Sequence, residues 1–148
     1  MLSRTFDNLA TRNQGPLLLL GRLAIGVLYV PSGFGKLTGI NGPGLTGFAG
    51  YLASHGVPGP AIAWSVVAAV IEFFASVAIV VGFQTRLAAL LMILFTIIAA
   101  FIGHPYWTMT DPAQIALNKV HFFKDITIIG GLLYVFVRGA GPISVDRR

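Results

Sequence analysis

The run AIAWSVVAAVIEFFASVAIVV, residues 61–81, is twenty-one residues long and carries one charge. As an α-helix rising about 1.5 Å per residue it is about 31 Å long, the depth of a bilayer's hydrocarbon core at roughly 30 Å. Its charged residue, Glu72, is the only glutamate of the chain and the twelfth residue of the run. A span in this register puts the carboxyl near the midplane, where a charge costs roughly 2.5–3.5 kcal/mol on insertion scales. Such a group has to face protein or a wet cavity and find a partner there. The expectation is an all-α fold, an integral membrane four-helix bundle arranged around that carboxyl.

Composition agrees. Of 148 residues, 55% are hydrophobic and 10% charged, and the mean hydropathy is +0.81. A soluble chain averages about a quarter charged residues. The length suits one membrane domain, 1–148. The net charge of +5 resides mostly at the ends of apolar runs, where it informs topology. No basic patch interleaves with aromatics, so nucleic acid is excluded as a partner. With no cysteine the chain has no disulfide, thiolate metal site or thiol redox chemistry of its own. Any electrons must be carried by something bound to it or beside it.

The spans are expected at about 16–36, 61–81, 87–103 and 121–138. The polar residues before the first read as a tail or short surface helix rather than a cleaved signal. In the first span Arg22, Gly26, Tyr29, Gly33 and Lys36 follow at +4, +3, +4 and +3, which puts them on one face. Arg22 either snorkels to the headgroups or turns inward to Glu72. Between the first two spans, Leu45, Phe48 and Leu52 sit at i, i+3, i+7 within Gly- and Pro-rich sequence. This predicts a short interfacial helix, an anchor or a lid. In the second span Ser65, Ala69, Glu72 and Ser76 share a face. The third has no charge and one polar group, Thr96, and is expected to be the span most exposed to lipid. Tyr106 and Trp107 read as headgroup anchors in the loop that follows. In the fourth span Lys124, Thr127, Gly131, Tyr134 and Arg138 share a face, and Gly130-Gly131 suggests close helix contact.

Arg4, Arg12, Arg86, Arg138, Arg147 and Arg148 fall on one side of a four-span arrangement, against Lys36 and Lys119 with Lys124 just inside. Positive residues favour the cytoplasmic side, so both termini are expected there.

Packed together, the three polar faces bring one carboxylate among several cations. The expected charge network or ligand site is Arg22, Lys36, Glu72, Lys124 and Asp125, with Tyr29, His104, Trp107 and His121 as a possible rim. Two readings stay open. One is a buried ion pair that fixes helix register, with Arg22 or Lys124 as the partner. The other is a polar pocket for a small ligand, a quinone headgroup or protons. No phosphate loop, nucleophile elbow or zinc motif occurs, and no catalytic residue or metal ligand is assigned. His104 and His121 lie at opposite ends of a loop, a poor arrangement for haem.

Several blocks together resemble the DoxX family of small four-span bacterial membrane proteins: Arg22…Gly26…Gly33-x-x-Lys36; Gly56-Val57-Pro58; Glu72; Gly82-x-x-Thr85-Arg86; Phe122-Phe123-Lys124-Asp125; Gly130-Gly131-Leu132-Leu133; and Gly139-x-Gly141 with Ser144 and Asp146. Asp125 departs from the asparagine expected at its place. The resemblance implies a four-helix bundle in the bacterial inner membrane. It also implies a subunit of a redox complex, since the family takes its name from the membrane subunit of a thiosulfate:quinone oxidoreductase and other members are linked with oxidative stress. The expected role is to anchor a partner and offer a polar intramembrane site near Glu72, with quinone as the possible cofactor, none covalent, and activity only within a complex. Expected partners are the lipid bilayer and other subunits or further copies. The alternatives are a small transporter or permeation protein and a purely structural accessory subunit.

Overall fold

The computed structural model describes residues 2 to 147. Met1, and the Arg148 counted above in the charge asymmetry, lie outside the described residues. Six α-helices follow in order: α1 (Leu2–Arg12), α2 (Gln14–Thr38), α3 (Gly44–Ser54), α4 (Ala61–Val81), α5 (Thr85–Gly103) and α6 (Pro112–Arg138), with a 3-10 turn at Tyr106–Thr108 before the last. Among the described residues there is no strand. α2, α4, α5 and α6 are long and apolar enough to cross a membrane, and the protein is an integral membrane helix bundle. α1 and α3 are the short helices expected before the first span and after it.

Successive spans pack side by side, α2 on α4, α4 on α5 and α5 on α6, while α3 lies on α4 and touches α2. The expected faces of α2 and α4 are the buried ones. Arg22, Gly26, Tyr29 and Gly33 turn inward on α2, and Ser65, Ala69, Glu72 and Ser76 on α4. Glycine sets the spacing between them: a Cβ on Gly33 would come within 2.6 Å of the Phe73 amide nitrogen. Without a side chain there, two backbones come close enough for dispersion contacts that replace the missing hydrophobic drive inside lipid.

Three expectations about the second half do not hold. α5 is not the lipid-exposed scaffold. Ala88, Ala89, Met92, Ile93, Thr96 and Ala100 are buried, because small side chains let α5 fit between α4 and α6. The most exposed span is α6, with Asp125 and Leu132 its buried residues. α6 also begins at Pro112, nine residues before the expected 121, in a stretch read as loop. Asp111 accepts from the Ala113 amide and Pro112 occupies the first turn, an N-terminal cap followed by a residue whose missing N–H costs nothing there. Gly130-Gly131 makes no close contact, since a Cβ on either would meet nothing within 4 Å.

The start of α2 and the C-terminal tail lie at one end of the bundle. Val145 and Asp146 donate backbone N–H groups to the carbonyls of Val81 and Gly82 in the α4–α5 turn, at 3.1 and 2.8 Å. Gly15, at the start of α2, faces Pro142 and Ile143.

Gly33→Ala should therefore destabilise the bundle by about 1–3 kcal/mol, the range for overpacking a tight contact, whereas Gly130→Ala should leave it unchanged or slightly firmer. Melting of both variants in detergent, followed by loss of the monodisperse peak, checks the contrast.

Candidate functional site

Glu72 sits halfway along α4 and is 2% exposed. Its partner is Lys36, whose Nζ donates to Oε2 at 2.5 Å. The lysine comes from the last turn of α2, and its stem reaches inward rather than out to the headgroups. A second hydrogen bond goes to Ser32 Oγ at 3.0 Å, one turn back on the same helix. The rings of Phe48 on α3 and Phe95 on α5 lie 5.0 and 5.9 Å from the ammonium. Aromatic faces attract a desolvated cation, so the lysine is held by a carboxylate, a hydroxyl and two π-systems together. α3 lies over this pair like a roof, with Phe48 and Leu52 facing in.

The expected partners of Glu72 are elsewhere. Arg22 is 1% exposed and does turn inward, but to the end of α4: Nη1 donates to the carbonyls of Ile79 and Val80, at 3.2 and 2.9 Å, and Nη2 to the carbonyl of Ile143. The last carbonyls of a helix lack intrahelical donors, and a guanidinium supplies several in a fixed fork. Ile79 lies seven residues beyond Glu72, about 10 Å along the axis, too far for Arg22 to serve both. Arg22 thus fastens α4 to α2 and to the C-terminal tail. Gly82, with φ +74°, makes room, since a Cβ there would lie 2.5 Å from Arg22 Nη1. Asp146 completes the clamp, its carboxylate accepting from the amides of Gln84 and Thr85 and from Thr85 Oγ1, each at 3.0 Å. This caps α5 from sixty residues away in sequence, and no local pattern announces it.

Lys124 is the second displaced partner. Its side chain is 43% exposed, on the outward face of α6, while its neighbour Asp125 turns in. Asp125 lies 3.8 Å from Lys124 Nζ and 3.8 Å from His104 Nε2. The imidazoles of His104 and His121 stack with centroids 5.0 Å apart. Tyr106, Trp107, Phe101 and Phe122 make an aromatic cluster beside them. Tyr29 faces the interior, where its hydroxyl pairs with Thr96 Oγ1 at 2.7 Å and lies within electrostatic range of both Glu72 and Asp125.

The candidate residues thus form three groups: Lys36–Glu72 under α3, Arg22 with the tail, and His104–His121–Lys124–Asp125 between α5 and α6. Among the described residues no cluster of three His, Cys, Asp or Glu is placed to hold a metal ion. Three contributors escaped the sequence reading. Ser32 had a signal, one turn before Lys36; Asn118, whose Oδ1 lies 3.0 Å from His104 Nδ1 and which sits seven residues before Asp125 on its face, had a weaker one; Phe95 had none, in a run whose one polar residue is Thr96.

Comparison with known proteins gives a consistent family. The DoxX family model matches residues 17–105. Inner membrane protein YphA of Escherichia coli is 40% identical over 132 residues, 89% of either chain. Inner membrane protein YqjF of the same organism is 32% identical over 130 residues, 88% of this chain and 89% of that one. A Surfeit locus protein 4 homolog of Schizosaccharomyces pombe is 29% identical over 103 residues, 68% of this chain and 33% of that protein. No solved structure matches.

Lys36→Met strands a buried carboxylate and should cost about 3–5 kcal/mol, and the double variant Lys36→Met, Glu72→Leu should recover most of it; unfolding midpoints of the single and double variants measure this. Asp146→Ala removes a helix cap and should cost about 0.5–2 kcal/mol, read as earlier unfolding with the Lys36–Glu72 region otherwise intact.

Proposed function

This chain belongs to the DoxX family, and on that premise we propose that it is the membrane subunit of a quinone-linked redox complex. It anchors a catalytic partner and offers an intramembrane polar site at Lys36–Glu72. The buried pair under α3 carries the reading. An ammonium and a carboxylate placed side by side in a low-dielectric interior are equipped to donate a hydrogen bond to a quinone oxygen and to pass a proton. Electrons must come from the partner, because the chain has no cysteine and no assigned redox centre of its own.

Access follows from the roof. α3 is bounded by Gly39 and Gly44 on one side and Gly56 and Gly59 on the other, all at positive φ. A headgroup reaching Glu72 would displace Phe48 from the lysine by shifting α3 about these turns. α6 is the natural surface for a partner, since it is the span least covered by its own chain. Both termini are assigned to the cytoplasm from the arginines near them, in the inner membrane that its relatives' names specify.

A permeation role is the second reading, supported by the Tyr29–Thr96 hydroxyl pair, with Tyr29 within electrostatic range of both interior carboxylates. Purification in native lipid separates the two. The expected result is that wild type carries quinone and a soluble oxidoreductase, and that Glu72→Gln keeps the oxidoreductase but loses quinone at least tenfold. Quinone retained by Glu72→Gln, or absent from wild type, overturns the redox site; flux in proteoliposomes without any partner, lost in Glu72→Gln, establishes the permeation reading instead.

A further inference from the structure

The end of the bundle away from the termini holds a polar cluster that the Lys36–Glu72 site does not use. Its hydrogen bonds assign the protons. Asn118 Nδ2 donates to the carbonyl of Gln114 at 3.0 Å, which turns the amide oxygen, Oδ1, toward His104 Nδ1, also at 3.0 Å. An amide oxygen only accepts, so Nδ1 of His104 carries a hydrogen. The opposite amide orientation would set two acceptor oxygens against each other.

With Nδ1 protonated, the other nitrogen of a neutral His104 is a lone pair. That nitrogen, Nε2, faces Asp125 Oδ2 at 3.8 Å. A lone pair opposite an ionised carboxylate oxygen is repulsive, and more so in a low-dielectric interior. One proton between them removes the conflict, either as imidazolium with carboxylate or as neutral imidazole with carboxylic acid. His121 does not compete for it: its Nδ1 lies 3.4 Å from Lys124 Nζ, and an ammonium has only donors, so this nitrogen is an acceptor. Stacking on His104 with Lys124 alongside further opposes a second positive imidazole.

We propose that His104 Nε2 and Asp125 Oδ2 form a proton-binding site that holds one proton between them. The groups bearing on it are His121 and Lys124 on α6, Tyr29 on α2, and Tyr51 on α3, whose hydroxyl bonds the carbonyl of Gly103 and whose ring stacks on His55. α5 brings no charge to this end; its Arg86 bonds the Val137 carbonyl at the other. The His104 side chain is 26% exposed and that of Asp125 11%, so the imidazole is the more open of the two groups. This inference stands apart from the redox reading, because it uses neither Glu72 nor a quinone.

Nitrogen-15 NMR of histidine-labelled full-length protein in nanodiscs at pH 7 tests it, with the three histidines assigned by His55→Gln, His104→Gln and His121→Gln. In wild type, His104 is expected either with both ring nitrogens protonated or with Nδ1 protonated beside an Asp125 carboxylic acid, seen as an infrared carbonyl band lost in Asp125→Asn. In Asp125→Asn, His104 is expected as the neutral Nδ1–H form, since the asparagine amide can donate to Nε2. A wild-type His104 carrying its only hydrogen on Nε2, or one neutral beside an ionised Asp125, overturns the proposal. So does a doubly protonated His104 whose signal Asp125→Asn leaves unchanged in a folded variant.

Discussion

The ammonium of Lys36 meets the carboxylate of Glu72 at 2.5 Å inside a bundle built of apolar side chains, and the placement of α2, α3 and α4 follows from keeping that contact dry. Two charges removed from water are costly apart and tolerable only when their remaining hydrogen-bonding capacity is also met. Ser32 meets part of it, and Phe48 and Phe95 cover the cation. Gly33 lets α2 approach α4 to backbone distance at Phe73, beside the glutamate. The glycine and the ion pair are two halves of one device: close approach brings the lysine within reach, and the pair fixes the helix register at which the approach occurs.

The other end of α4 is held differently. Arg22 donates from its terminal nitrogens to the last carbonyls of α4, and the Asp146 carboxylate accepts from the first amides of α5. A sharp interhelical turn inside or near a bilayer exposes both kinds of orphan group at once, and lipid satisfies neither. Folding the C-terminal tail back over the turn answers both needs with one segment. The bundle is thereby fastened at two levels, with a rigid clamp near the termini and a roofed ion pair further along. Only the second sits beneath a segment bounded by glycine turns at positive φ.

The exposed face of α6 is the remaining structural fact with functional weight. Lys124, Thr127 and Tyr134 point outward, and Gly130-Gly131 meets nothing. Polar and small residues turned toward lipid are unusual on a span whose neighbours already bury its other face.

Reading α2 and α4 from sequence succeeded because each carries sparse polar or small residues at a helical spacing, and hydrocarbon forces such a face inward. The number of spans, the short roof helix and the burial of Glu72 follow from the same rule. The phase of α6 did not, since Lys124 and Asp125 are adjacent and each begins a plausible stripe; which one turns inward depends on whether a long snorkelling cation or a short carboxylate finds partners inside. α5 offered little phase, because Thr96 is its one polar residue and a single point in an apolar run gives lipid and protein little contrast to sort. Hydropathy and spacing therefore determined what must be buried, while the partners were decided by tertiary structure: Glu72 pairs with Lys36 at the end of α2 rather than with Arg22 or Lys124, and an aspartate about sixty residues away caps α5, because side-chain reach and helix packing operate through space and leave no periodic trace along the chain.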